Sequence, residues 1–268
     1  GYADIHEGEP GYSAKLDRDH DGVACELKNA PKGAFKPRKS TEVKTNYSSA
    51  ITSGWVQKDG VWYYHDDKGN PVTNTWKGSY YLKSDGKMAQ NEWIYDTSYQ
   101  AWYYLKSDGS YARNAWQGSY YLKSNGKMAQ SEWVYDASYQ AWYYLKSDGS
   151  YARNAWQGSY YLKSNGKMAQ SEWVYDSSYQ AWYYLKSDGS YARNAWQGSY
   201  YLKSNGKMAQ SEWVYDSSYQ TWYYLKSDGS YARNAWQGSY YLKSNGKMAV
   251  NERTPDGYRV DGSGKWVK

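Results

Sequence analysis

From Ser131 to Gln170 the chain spells SEWVYDASYQAWYYLKSDGSYAR and then NAWQGSYYLKSNGKMAQ, and the same forty residues return almost unchanged on either side. A period of this length restricts a chain to repeat architectures, in which each unit is one supersecondary element that buries its apolar face only by stacking on its neighbours. The period divides into a unit of 23 residues, Ser131 to Arg153, and one of 17, Asn154 to Gln170. Each holds an aromatic run, then Ser-Asp-Gly or Ser-Asn-Gly, then a shorter run. Asp-Gly and Asn-Gly accept the positive φ angles of a two-residue type I′ turn, so each unit reads as a β-hairpin. AWYYLK is expected to pair with SYAR in the long unit, and SYYLK with KMAQ in the short one. Ten such units fit between Gly54 and Val250, and NERTPDGYRVDGSGKWVK reads as a deviant closing hairpin. A lone hairpin is marginal in water. The expected fold is therefore mostly β, a solenoid of stacked hairpins, with Arg253 in place of a Trp as a polar terminal cap.

Composition agrees with half-exposed rings rather than a deep interior. The chain has 16 Trp and 36 Tyr but a single Phe, Phe35, outside the repeats. Phe would pack as well as Tyr, whereas Trp and Tyr keep a polar tip for water and Trp attracts cations most strongly. The long unit carries two Trp, such as Trp133 and Trp142. The short unit has Ser159 where its second Trp would stand, an alternation that packing alone does not require.

Ahead of the array the charge changes sign. Residues 1–26 hold seven acids against Lys15 and Arg18, a net −5; residues 27–53 hold six basic residues against Glu42, a net +5; the remainder supplies +6. LKNAPKGAFKPRKSTEVKTNYSSAITS, with few apolar residues, reads as a basic flexible linker over 28–53 between a head at 1–27 and the array at 54–268. In the head, DRDHDGVACE sets Asp17, Asp19 and Asp21 at alternate positions before a glycine, the start of an EF-hand-like Ca²⁺ loop, with the Val23 carbonyl next. The acid expected at the twelfth loop position is Lys28, and Glu26 is the nearest alternative.

Several classes of function are excluded or disfavoured. No apolar run approaches the roughly 18 residues of a membrane span. Cys25 is the only cysteine, so neither a disulfide within the chain nor a four-cysteine zinc site forms. His6, His20 and His65 lie outside the regular repeats, and no nucleophile, base and orienting group recur together, so an enzyme is not expected. Glu132 and Asp136 recur in every long unit and read as surface charges. The lysines are spread without a basic stripe, which argues against nucleic acid. The chain opens at Gly1 without a signal peptide and reads as a processed or trimmed secreted protein.

GWVQKDGVWYY, EWVYDASYQAWYYLKSDGSYA and NAWQGSYYLKSNGKMA resemble the choline-binding repeats of streptococcal cell-wall proteins, and GEPGYSAKLDRDHDGVACE resembles the Excalibur domain, an extracellular calcium-binding module. The first resemblance implies a left-handed hairpin solenoid that holds choline groups of teichoic acids in cages between hairpins. Two walls come from one hairpin's Trp pair and a third from the next hairpin's Tyr, with a Met nearby. Carried onto this chain it implies cages of Trp55, Trp62, Tyr80 and Met88; Trp93, Trp102, Tyr120 and Met128; Trp133, Trp142, Tyr160 and Met168; Trp173, Trp182, Tyr200 and Met208; and Trp213, Trp222, Tyr240 and Met248. Junctions with Ser79, Ser119, Ser159, Ser199 or Ser239 are expected to be weak or empty. The second implies Ca²⁺ on Asp17, Asp19, Asp21, Val23 and Glu26. Together they imply a non-catalytic wall anchor at the cell surface, with a host extracellular protein as a further candidate partner. The rival is a carbohydrate-binding (glucan) module, since related aromatic repeats stack on sugars.

Overall fold

The computed structural model describes residues 52–268 together with Ile5, His6, Lys15, Asp17, Val23 and Ala24. The chain divides into two units, residues 1–51 and 52–268. In the first, Ile5–His6 pairs antiparallel with Val23–Ala24, Ile5 opposite Ala24 and His6 opposite Val23. Asp17 is buried, 3 % exposed. Asp19, Asp21 and Glu26 of the expected calcium set, and the expected linker as far as residue 51, lie outside the described residues.

The second unit is a file of two-stranded antiparallel sheets. Its long hairpins are Gly54–Lys58 with Val61–His65, Glu92–Asp96 with Ala101–Leu105, Glu132–Asp136 with Ala141–Leu145, Glu172–Asp176 with Ala181–Leu185, and Glu212–Asp216 with Thr221–Leu225. Short hairpins alternate with them, from Thr75–Lys77 with Tyr80–Leu82 to Ala235–Gln237 with Tyr240–Leu242, and Arg259–Val260 with Trp266–Val267 closes the array. The hairpin solenoid and its closing element are thus as the repeat implies.

The pairing inside each unit differs from expectation. The ladder of the long hairpin joins EWVYD to AWYYL, with Trp133 opposite Tyr144 and Tyr135 opposite Trp142, and that of the short one joins AWQ to YYL. The runs expected to complete the hairpins, SYAR and KMAQ, meet the second strand over a shorter stretch: Leu145 bridges Tyr151 and Leu162 bridges Met168, flanked by bonds from the Ala152 N–H to the Tyr144 carbonyl and from the Ala169 N–H to the Tyr161 carbonyl, 2.8 Å each. The four-residue loop over residues 137–140 closes EWVYD on AWYYL, its Ser138 and Tyr139 N–H groups held by Asp136 and its Gln140 at positive φ. The Ser-Asp-Gly turn is also of another class. At Ser147-Asp148-Gly149 only Gly149 has positive φ, 84°, and its N–H bonds to the Lys146 carbonyl at 2.9 Å. That is a type I turn followed by a left-handed glycine, a three-residue loop rather than a type I′ turn. Tight reversals occur elsewhere. Asp59 and Gly60, at φ 52° and 78°, have the type I′ pattern. Gly158-Ser159, with positive φ at the glycine only, has the type II′ pattern.

Strand alternation gives every long hairpin two working faces. On one, Ala141, Tyr143 and Leu145 pack with Tyr121 and Ala129 of the preceding short hairpin, flanked by Trp116, Val134 and Tyr151. On the other, Trp133, Tyr144 and Ala152 pack with Leu162, Met168 and Tyr160 of the following one. Leu145 and Leu162 are fully buried, each worth about 2 kcal/mol of burial. Because each hairpin lies between two others, no layer is complete alone.

Backbone bonds lock the stack as well. The Met168 N–H donates to the Trp142 carbonyl at 2.8 Å, and the Tyr191 N–H to that of Ser159 at 3.0 Å. The acids read as surface charges serve the same purpose. Asp136 is 5 % exposed; its Oδ1 accepts from the Ser138 and Tyr139 N–H groups, and its Oδ2 accepts from the Trp116 indole of the preceding unit at 2.6 Å. Burying a carboxylate requires such partners, and the four-residue loop supplies two of them. Glu132 is half-exposed and pairs with Lys123 at 2.8 Å.

Candidate functional site

The fold sorts the tryptophans into three sets. Trp116 and its repeats are packing residues. Trp76, Trp116, Trp156 and Trp196 each touch three tyrosines edge-on, as Trp156 does Tyr161, Tyr183 and Tyr191 at 5.0, 4.8 and 5.8 Å. Trp236 touches Tyr241 and Tyr258, and each of the five spends its indole N–H on a carboxylate. Trp93, Trp133, Trp173 and Trp213 are half-buried at the junction that follows, Trp133 with Tyr160 5.4 Å away at 74°, while Trp55 at the start of the array is exposed. Trp142 and its repeats project from the second strand and are 37–42 % exposed, Trp62 lowest and Trp222 highest.

At the last complete repeat Trp213, Trp222, Tyr240 and Met248 line a cavity of about 380 Å³, joined by Ser263 of the closing segment. This lies within the roughly 300–1,000 Å³ of small-ligand sites. The wall angles recur along the array: Trp55 to Tyr80 is 5.2 Å at 77°, Trp93 to Tyr120 is 5.4 Å at 74°, Trp173 to Tyr200 is 5.4 Å at 74°, and Trp213 to Tyr240 is 5.5 Å at 74°. In the first repeat the two Trp rings themselves stand 6.4 Å apart at 84°. Near-perpendicular rings leave faces turned inward, which suits a rounded group better than a flat one.

Met88, Met128, Met168 and Met208 are 8–9 % exposed and form the floor. Their placement depends on a glycine in the following loop. A Cβ on Gly189 would stand 2.5 Å from Met168 Cε and 3.2 Å from Tyr160 Cδ1. Gly109, Gly149 and Gly229 stand in the same relation to Met88, Met128 and Met208.

A supporting ring was missed by the sequence reading. Tyr135 leans on Trp142 at 5.4 Å, as Tyr95 does on Trp102, Tyr175 on Trp182 and Tyr215 on Trp222. Placing EWVYD opposite AWYYL would have found it. Elsewhere the chain uses its own cations: Lys167 Nζ sits 5.3 Å above the Tyr139 ring and Lys127 Nζ 5.4 Å above Tyr99. No cage ring carries a lysine in this way among the described residues.

The junction at Ser239, expected to be weak or empty, holds a second aromatic cavity of about 320 Å³ lined by Trp236, Gly238, Ser239, Tyr258 and Trp266. The closing hairpin supplies what Ser239 lacks. Trp266, whose backbone N–H donates to the Ser239 carbonyl at 2.8 Å, stands 6.2 Å from Tyr258, which is 5.9 Å from Trp236. The irregular spacing of this hairpin hid both rings from a forty-residue template.

Titratable groups at the cages are few. Burial pushes the Tyr121 and Tyr143 hydroxyls above the usual tyrosine range, and the Asp136 charge adds to it. The Asp148 carboxyl is held below the ordinary range by the hydroxyl and N–H of Ser150. Among the described residues no group of three or more His, Cys, Asp or Glu is placed to hold a metal, and no helix is long and apolar enough to cross a membrane.

These features define a class, a hairpin solenoid that presents ring cages at alternate joints. Residues 70–111, 110–151, 150–191, 190–231 and 230–266 match the choline-binding repeat, residues 53–70 the putative cell wall binding repeat, and residues 1–26 the Excalibur calcium-binding domain. The chain belongs to the choline-binding repeat family. The crystal structure of the choline-binding domain of CbpL from Streptococcus pneumoniae is 74 % identical, with a TM-score of 0.63 over 70 % of this chain and 100 % of that one. The modular autolysin LytC from the same organism is 44 % identical, with a TM-score of 0.51 over 72 % of this chain and 46 % of its own. A stretch of 27 residues is 59 % identical to a putative endo-β-N-acetylglucosaminidase of S. pneumoniae, spanning 10 % of this chain and 4 % of that protein. The array is a cell-wall-binding module of a kind that also occurs in enzymes.

Proposed function

We propose that the array anchors a secreted, non-catalytic protein to the cell surface by holding choline groups of wall teichoic acids in the cages. The observation that carries this reading is the cavity lined by Trp213, Trp222 and Tyr240 together with the half-buried Met248. A trimethylammonium has no N–H, so a carboxylate offers it only charge; ring faces give it cation–π attraction and dispersion together. Trp222 forms the outer wall, Trp213 the inner wall and Tyr240 the wall from the next hairpin, and Met248 keeps the floor dry. The equivalent residues of the four preceding long hairpins take the same roles, and the Ser239 cavity is assigned the same ligand.

At about 1 kcal/mol per ring, three rings give about 3 kcal/mol and binding in the millimolar range. One cage is a poor anchor. Several cages on one polymer raise avidity by about two to four powers of ten, and the backbone bonds between hairpins fix their spacing.

The experiment is retention on a tertiary-amine matrix followed by elution with free choline or with dextran. Release by choline alone supports the assignment. Release by dextran, or no retention, rejects it in favour of a sugar platform.

For the head, the reading assigns Ca²⁺ to Asp17, Asp19, Asp21, the Val23 carbonyl and Glu26. Its support is the Excalibur match over residues 1–26. Calorimetry with Ca²⁺ that gives neither heat nor a rise in melting temperature rejects it.

A further inference from the structure

We propose that the joint from each short hairpin to the next long one is a site for a phosphate group, and that it takes the phosphodiesters of the same polymer whose choline groups enter the cages. The polymer's identity rests on the reading above; the anion site does not.

Two cavities at these joints are small and basic. One, of about 210 Å³, is lined by Ser159, Lys186, Ser190, Tyr191 and Arg193. The other, of about 170 Å³, is lined by Ser199, Lys226, Ser230, Tyr231 and Arg233. Both fall below the roughly 300 Å³ of organic-ligand sites, which suits a compact group.

Lys186 is held only loosely, by an exposed pair with Asp188 at 3.4 Å, of a kind worth little in water. Asp188 also accepts the Ser190 hydroxyl at 2.7 Å. Arg193 and Arg233 are exposed, and among the described residues they make no ion pair or hydrogen bond. Lysine, arginine and aspartate together leave one positive charge at each joint. The free charge belongs to arginine, whose planar donors match a phosphate.

Position in the array strengthens the assignment. Ring faces are electron-rich and repel an anion, so the cages cannot take a phosphate. The guanidinium repels a trimethylammonium, so the basic joint does not compete for choline. Trp133 with Trp142 and Ser159 with Arg193 belong to successive joints, and both kinds recur every forty residues. The array alternates a cation receptor with an anion receptor. A polymer bearing choline on phosphodiester links alternates the complementary charges.

The test is a titration of the full chain with inorganic phosphate, followed by ³¹P NMR line broadening and repeated on the variant Arg113→Gln, Arg153→Gln, Arg193→Gln, Arg233→Gln, which changes every copy of the repeat position. The expected result is saturable binding to the parent, weakened about tenfold or more in the variant, with an unchanged number of choline equivalents in both. The four Arg→Lys replacements, which retain the charge, are expected to bind phosphate more tightly than the Gln variant. No saturable binding to the parent, or equal affinity in parent and Gln variant, overturns the assignment. A parent that binds phosphate but no choline defeats the cage reading and leaves the anion site standing.

Discussion

The indole N–H of Trp156 donates to Oδ2 of Asp176, twenty residues further on, at 2.7 Å. The other oxygen of Asp176 accepts the N–H groups of Ser178 and Tyr179. One carboxylate therefore shapes a loop in its own hairpin and clasps the hairpin before it. Asp176→Ala is expected to cost about 2 kcal/mol or more, since bonds to a charged acceptor are worth about 1.5–3 kcal/mol. Thermal denaturation followed by circular dichroism checks this. A melting temperature unchanged within one degree would show that Trp156 holds the joint by packing alone.

Trp142→Ala removes the outer wall of one cage while Trp133 and Tyr160 remain packed against Leu162. The variant is expected to bind one choline equivalent fewer than the parent, with unchanged affinity at the other cages. Calorimetric stoichiometry reads the difference, and an equal count in both proteins would exclude Trp142 from the site.

Gly189 touches the cage without lining it. A methyl group there meets Met168 at 2.5 Å, and φ is +83°, so Gly189→Ala strains the backbone and displaces the floor together. A loss of about 1–3 kcal/mol is expected from overpacking, with weakened binding at the Trp133, Trp142 and Tyr160 cage. Calorimetry should register both effects. Gly158→Ala, where a Cβ has open space, is the control: it carries backbone strain without the clash, and its choline affinity should match the parent's.

The repeat states that Trp133, Trp142 and Tyr160 recur at fixed intervals; that they share one joint was implied by the resemblance to choline-binding repeats rather than by the spacing, and the structure places Trp133 against Tyr160 there. The partner of each strand was not legible. Ser-Asp-Gly signals a reversal but not its class, and the four-residue loop over residues 137–140 that pairs EWVYD with AWYYL contains no glycine to announce it. With the wrong ladder, Tyr135 could not be placed against Trp142. Asp136 was misread for a different reason. Its partner, Trp116, lies in another unit, and local sequence carries no mark of that contact. The phosphate-site arginine is likewise one exposed residue in a loop until folding sets it beside Lys186.

At the C-terminal joint, Trp266→Ala opens the cavity that Trp236 and Tyr258 share with it. One further choline equivalent is expected to disappear, and dye-free tryptophan fluorescence titration would count it. If Trp266→Ala keeps the full count, the Ser239 joint is empty of choline.

Alkali should act on the packing tyrosines. The hydroxyls of Tyr161 and Tyr183 are pushed up chiefly by burial and further by Asp176, so the folded chain holds these protons more tightly than the unfolded one. Their contribution is complete below the ordinary tyrosine pKa, about 10, and is lost as pH rises through the raised folded value. Tyrosinate absorbance is expected to show a late phase, from the buried rings, coinciding with loss of β structure. A single early phase would contradict the burial.

Residue 170 meets residue 171 as residue 210 meets residue 211, Gln before Ser in each case. Excising residues 171–210 would therefore leave no scar: the joint rebuilt across the cut has the same side chains, the same buried leucines and the same clasp. The array can shed or duplicate a period without any interior having to be redesigned, so its grip on a polymer can be adjusted by copy number, in whole steps.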